Sequence, residues 1–164
     1  MNIRDVLAAQ MKLSGAQPLA VAPGNTSMEQ LTNRMTQEAV INGSKAVEIN
    51  HFLGAIIGHV NGPTKFYLAE ALREEGLKET EVRGRLGLKD YDHTVELSCG
   101  IPRSAELEGI FLVARMFAKQ REEALCINDL LAAAVLKLTG TRGVQAIDPT
   151  GLARILARHI KAAY

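Results

Sequence analysis

The stretch Glu48–Gly58, EINHFLGAIIG, returns further along the chain as Cys126–Leu136, CINDLLAAAVL. Both share one pattern: Ile-Asn, then His or Asp, a large apolar residue, Leu, a small residue and Ala. Aligned at an offset of 78 residues, Ala46, Ile49, Asn50, Leu53 and Ala55 meet Ala124, Ile127, Asn128, Leu131 and Ala133, five identities within ten positions. Most mismatches keep their character, as with Phe52 and Leu130 or Ile57 and Val135. Each copy combines a polar start with a dense apolar run, which predicts a buried helix capped by its Asn.

The flanking sequence repeats the organisation. Ser27 with Gln30 forms a capping-box pattern, and Leu31, Met35 and Ala39 share one stripe, so a helix is expected over 28–42. Asn42-Gly43 ends it. A second helix is expected over 51–60, a third over 65–75 closed by Gly76, and a short fourth over 78–86. The order then restarts. Ser104 caps a helix over 105–121, Asn128 one over 129–139, and Gly140 and Gly143 punctuate a short segment around Val144–Ile147. Asp148-Pro149 pairs a capping Asp with Pro at the first helical position and opens a helix over 149–162. The only weak strand candidate is VELS, 95–98. Before the repeats, Ile3, Val6, Leu7 and Met11 stand at helical spacing within 2–13, and 14–25 reads as a linker with two Pro, two Gly and no charge.

The composition agrees with an all-α class. Aromatics are 4 %, Trp is absent, and Ala and Leu are abundant. The formal charge of +1 gives no bulk signal for nucleic acid or a membrane surface. No apolar run reaches the roughly 18 residues of a membrane span, and the N-terminus lacks a secretory core, so a cytoplasmic protein is expected. Two cysteines, Cys99 and Cys126, make no disulfide framework and are expected to be reduced thiols.

The doubled pattern resembles the Clp N-terminal domain, or Clp repeat domain, of the Clp-type AAA+ unfoldases. Each repeat of that family has an Ala-rich helix, a connector, and a helix opening with Glu-His-Leu-Leu-Leu-Ala-Leu-Leu. The matching runs are Asn50–Ile57 and Asn128–Val135, and Leu72–Lys78 is similar to the glycine-containing element that follows in the family. Gly143–Asp148 matches that element more loosely. Where the family places a Ser or Thr cap, Glu48 and Cys126 stand here, so Asn50 and Asn128 are expected to cap instead. The second copy lacks the His. The resemblance implies a pseudo-twofold bundle of two four-helix Clp-type repeats: an extension and linker over 1–25, repeat one over 26–87, an inter-repeat loop over 88–103, and repeat two over 104–162. It also implies a non-enzymatic module that binds hydrophobic peptide segments, an adaptor, or a Clp-type ATPase or protease.

Catalytic signals are sparse. No P-loop run is present, and Gly62-Pro63-Thr64-Lys65 is a superficial echo in which Pro removes a needed donor, so no ATP hydrolysis is expected. Of the four histidines, His51, His59, His93 and His159, the first two could share a helix face but have no Cys or acid at ligand spacing, and the Asp90–His93 cluster reads as a solvated turn. No metal, cofactor or catalytic residue is expected. The informative segment is 106–120, ELEGIFLVARMFAKQ, apolar nearly all round. Such a helix is either buried on all sides or shows an apolar strip to a partner. By the resemblance, Phe111, Phe117 and Leu130 line a peptide groove, with Met116 in the same patch. Phe and Met suit an adaptable apolar surface. The alternative function is a small helical DNA-binding or regulatory protein, which needs Arg83, Arg85, Arg103, Arg115 and Arg121 to converge on one face.

Overall fold

The computed structural model describes residues 23–58, 63–92, 94–95 and 100–164. The expectations for 2–13 and for most of 14–25, and those for His59, His93, Cys99 and residues 96–98, lie outside them. Among the described residues, seven α-helices and one 3₁₀ turn follow in order: α1 Pro23–Ile41, α2 Ile49–Gly58, α3 Pro63–Glu74, α4 Glu79–Arg85, α5 Ala105–Gln120, α6 Ile127–Thr139, the turn Val144–Ala146, and α7 Pro149–Ala163. The all-α expectation holds among the described residues, where the only β-type contact is an isolated parallel bridge between Val47 and Arg103.

Glycine stops the helices where the sequence placed it. At the end of α1, Gly43 takes φ 66°, and the Gly43 and Ser44 N–H groups donate to the Val40 and Ala39 carbonyls at 3.1 and 2.9 Å. Gly76 repeats this at the end of α3, with Leu77 N–H reaching Leu72 O at 2.9 Å. These are left-handed caps, which cost glycine nothing because it has no Cβ.

One apolar core runs through both halves. Leu31, Met35 and Ala39 of α1 enter it as the stripe predicted, and every residue of α2 from His51 to Ile57 is buried. In α6, Ile127 and each residue from Asp129 to Val135 are buried. α1 packs along α2 and also touches α6; α5 packs along α6 and also touches α2; α3 packs along α7. The bridge adds a backbone stitch. Val47 N–H donates to Pro102 O at 2.8 Å, and Ser104 N–H donates to Val47 O at 2.9 Å, tying the α1–α2 connection to the start of α5.

The caps differ from the expectation. α2 and α6 start at Ile49 and Ile127, so Asn50 and Asn128 lie inside the first turn. The Glu48 N–H instead donates to His51 Nδ1 at 2.9 Å, and the Cys126 N–H donates to Asp129 Oδ2 at 3.0 Å. A His and an Asp at corresponding places in the two runs thus accept the same backbone donor. Asn50 is drawn away by a tertiary bond, its Nδ2 donating to Leu86 O at 2.8 Å at the end of α4.

The core also holds charge. Glu38 has no solvent exposure and receives Arg83 in a two-pronged pair, Nη1 to Oε2 at 2.5 Å and Nη2 to Oε1 at 2.9 Å. Arg34 Nε donates to the same Oε2 at 3.3 Å, and its guanidinium lies 3.2 Å over the Tyr91 ring. Arg83 also donates to Lys89 O, and Lys89 N–H donates to Asn42 Oδ1 at 2.8 Å, fastening the segment after α4 onto α1. The glycines of the opening stretch make room for this. A Cβ at Gly54 would overlap Leu88 Cδ1 and lie 3.3 Å from Glu38 Oε2; one at Gly58 would lie 3.1 Å from Arg34 Nη2.

Two predictions follow from the buried polar groups. Glu38→Ala leaves Arg34 and Arg83 buried without their acid, and urea unfolding should show a loss of about 3–5 kcal/mol; a loss below about 1 kcal/mol would contradict the cluster's role. His51 must stay neutral at Nδ1 to accept the Glu48 N–H, and burial lowers its pKa against the opposing charges of Glu48 and Glu38. Above about pH 6.5 the imidazole is neutral whether the chain is folded or not, and its contribution is fully present. As pH falls, the unfolded chain takes the proton first, so stability drops until the folded imidazole also protonates. Unfolding curves between pH 7 and 5 should therefore be steeper in pH for the wild type than for His51→Asn, which still offers an acceptor oxygen.

Candidate functional site

A concavity opens where the end of α5, the start of α6, the 3₁₀ turn and the start of α7 converge. Its volume is about 460 Å³. Phe117, Ala132, Val144, Ile147, Pro149 and Leu152 supply its apolar lining. Gln120, Arg121, Asn128 and Gln145 stand among the polar lining residues, and Gln145 Nε2 donates to Gln120 Oε1, linking the 3₁₀ turn to the end of α5.

The local sequence builds this corner. Two residues past the end of α5, Glu122 takes φ 55°, which turns the chain sharply, with Glu123 N–H donating to Ala118 O at 3.1 Å. A non-glycine residue there carries a steric cost of roughly 1–2 kcal/mol. The turn delivers Arg121 to the start of α6, where Nη2 meets Asp129 Oδ2 at 2.5 Å. That oxygen also receives the Cys126 N–H at 3.0 Å and the Cys126 thiol at 3.3 Å. Asp129 therefore fixes the α6 cap, the thiol and the arginine together. At the opposite wall, Asp148 caps α7 by accepting Gly151 N–H at 2.7 Å, with Pro149 at the first helical position as the sequence indicated.

The four residues expected to form a peptide surface separate into three environments. Phe117 is half-buried and lines the pocket. Met116 is 54 % exposed, on the outer face of α5 beside Leu112 at 56 %. Phe111 and Leu130 are core residues, 2 % and 0 % exposed, and present no binding surface. The Phe111 ring lies under the Arg103 guanidinium at 3.8 Å. Helix α5 is thus neither wholly buried nor a continuous apolar strip. Leu107, Ile110, Phe111, Ala114 and Ala118 face the core, and two large apolar residues face solvent. Asp129 and Gln145 were not singled out as site residues from sequence, and Arg121 entered only the DNA-binding alternative, because only the turn at Glu122 and the approach of the 3₁₀ segment bring them to Phe117.

Chemically the corner offers contact: an apolar floor for a side chain, with amide and guanidinium groups at its edge. Burial pushes the Cys126 thiol above its ordinary pKa, and the Asp129 charge adds to the shift while backbone donors oppose it. A thiol held protonated is a poor nucleophile. No group of three or more His, Cys, Asp or Glu positioned for a metal is found among the described residues, and no described helix is long and apolar enough to cross a membrane. No protein-family model matches the chain, and no curated protein matches it in sequence.

The thiol supplies the prediction for this corner. In a Cys99→Ser background, Cys126 should alkylate with iodoacetamide at pH 7.5 more slowly than a free peptide thiol. Asp129→Asn removes the neighbouring negative charge and should speed the reaction several-fold; an unchanged rate would separate the thiol from Asp129.

Proposed function

We propose that this chain is a non-enzymatic peptide- or protein-binding module built of two Clp-type repeats. It acts in the cytoplasm, recruiting hydrophobic segments or an adaptor to a Clp-type ATP-dependent protease or disaggregase, or regulating such a machine. The architecture is supported by two correspondences, the reciprocal contacts of α1 with α6 and α5 with α2 and the shared cap geometry of Glu48 with His51 and Cys126 with Asp129, while the helix order matches only as far as α6: two helices, α3 and α4, follow α2, whereas a 3₁₀ turn and the single helix α7 follow α6 in place of the expected fourth helix. The connection between the paired helices is one residue shorter in the second half, 121–126 against 42–48, so ahead of it the offset is 79 and the buried stripe Leu31, Met35 and Ala39 of α1 corresponds to Ile110, Ala114 and Ala118 of α5. Phe117 then takes the place of Glu38, and Ala132 that of Gly54. The first repeat fills this corner with Glu38, Arg83 and Leu88; the second leaves it as the pocket.

The observation that carries the function is that pocket, apolar at its floor, polar at its edge, and bordered on α5 by Phe117 next to exposed Met116. One apolar side chain of an unfolded segment fits a volume of this size, and a single shallow site of this kind supports micromolar affinity, about 8 kcal/mol. The DNA-binding alternative is weakened by ion pairing. Arg83 pairs with Glu38, Arg85 with Glu81, Arg103 and Arg115 with Glu108, and Arg121 with Glu123 and Asp129.

The test is anisotropy with a fluorescently labelled, permanently unfolded protein, reduced and carboxymethylated lactalbumin, alongside capture from native lysate. Binding with a Kd of about 1–100 μM, weakened at least about tenfold by Phe117→Asp in a still-folded protein, is the expected result. Co-capture of a Clp-type ATPase, protease or adaptor, lost in the same variant, supports the recruitment role. No binding at about 100 μM, or binding indifferent to Phe117→Asp, would overturn the peptide-binding reading.

A further inference from the structure

The corner beside α6 is open, while the matching corner beside α2 is filled by the chain itself. Four residues of the first half hold the filling segment, 83–89. Glu38 receives the Arg83 guanidinium, and Asn42 Oδ1 accepts Lys89 N–H at 2.8 Å. Asn50 Nδ2 donates to Leu86 O at 2.8 Å, and Gly54 leaves room for Leu88, whose Cδ1 a Cβ at 54 would overlap. At offsets of 79 residues for α1 with α5 and 78 for α2 with α6, the counterparts of these four are Phe117, Arg121, Asn128 and Ala132. All four line the pocket. Among the described residues the second half has no helix in the part of α4, and the space is left empty.

We infer that the pocket takes a partner segment built like 83–89: the last turn of a short helix, then an extended leucine, with an apolar side chain where Arg83 stands. The inference rests on the reading of the pocket as a peptide site and names its occupant. The filled corner supplies the form. Leu88 N–H closes back on Arg83 O at 2.9 Å and Gly87 takes φ 72°, so Arg83 and Leu88 turn into one corner and are buried there together. The pocket, at about 460 Å³, falls in the size range of sites that enclose a whole small ligand, which leaves room for such a pair of side chains.

Charge complementarity fixes the chemistry. The first corner admits a cation because Glu38 answers it with both carboxylate oxygens. With Phe117 in that place, an inserted guanidinium or ammonium would lose its water and meet no free acid. The acid that lines the pocket, Asp129, is already engaged by Arg121, the Cys126 N–H and the Cys126 thiol. An apolar side chain meets instead the Phe117 ring and the side chains of Val144, Ile147 and Leu152. The backbone contact changes in the same sense. Asn42 accepts an N–H, whereas Arg121 carries only donors, so the group it meets on the partner is a carbonyl.

Anisotropy with two labelled peptides tests this. Both carry the chain's own residues 79–91, ETEVRGRLGLKDY, one unaltered and one with Arg83→Leu. The full chain should bind the Arg83→Leu peptide with a Kd of about 1–100 μM, at least about tenfold more tightly than the unaltered one. Adding Leu88→Ala should weaken that peptide about tenfold or more, the effect of losing one buried leucine. Phe117→Glu in the full chain restores the acid of the first corner and should reverse the preference, the unaltered peptide then binding better. Equal affinities in the wild type, indifference to Leu88→Ala, or a preference that Phe117→Glu leaves unchanged in a still-folded protein would overturn the inference. Should Phe117→Glu unfold the chain, the two peptide substitutions decide the outcome alone. Carboxymethylated lactalbumin separates this inference from the reading beneath it. If lactalbumin binds and the Arg83→Leu peptide does not, the occupant is wrong and the peptide site stands; if neither binds, both fall.

Discussion

A carboxylate with no access to water governs the first half of this fold. Glu38 sits on the core side of α1, and an isolated charge there would be prohibitive. It is answered by two guanidiniums, Arg83 from α4 in a two-pronged pair and Arg34 from the preceding turn of its own helix. The pairing dictates much around it. α4 must lie close enough to α1 for Arg83 to reach. The chain after α4 must pass where Arg83 can donate to Lys89 O, and α2 must carry glycine at 54 and 58 where side chains would intrude. A pair of this kind adds less to net stability than its short distances imply, because desolvation offsets the Coulombic gain. Its consequence is specificity of arrangement: removing one member leaves the others stranded.

The second half has an apolar side chain where the first has Glu38. Its central helix α6 is buried like α2, but the residue beside it on α5 is Phe117, and the residue facing it is Ala132. The corner stays open, and its polar groups gather at the edge around the buried Asp129 and its partner Arg121. One carboxylate oxygen there receives a backbone N–H, a thiol and a guanidinium. Rigidity at the α6 start and open volume beside it coexist because the hydrogen bonds close around the helix cap and leave the apolar floor uncovered.

Much of the helical outline was legible from local chemistry. Gly43, Gly76 and Gly140 end helices in left-handed backbone, and Asp148-Pro149 opens one, because these effects are settled within a few residues. The caps of α2 and α6 were less legible. Asn is a good capping residue by propensity, yet Asn50 serves Leu86 O across the fold, and the helix starts two residues earlier than expected, at Ile49, with His51 reaching back to Glu48. Competition between a local and a distant hydrogen bond has no signature in the sequence. The surface role expected for Phe111 and Leu130 failed for a related reason: an all-round apolar helix does not declare which residues its neighbours will cover.

By itself the sequence determined the all-helical character of the described residues, much of their punctuation, and two buried helices of similar sequence, because apolar periodicity and turn residues act over a few positions. Tertiary structure decided which side chains remain at the surface. Arg103 lies over Phe111, α6 turns Leu130 inward, and Leu112 and Met116 are left facing water. It also assembled the corner around Phe117, where groups from α5, α6, the 3₁₀ turn and α7 meet across more than 30 residues of chain. Burial is a property of the whole arrangement, since each side chain is covered only by what the rest of the fold brings to it.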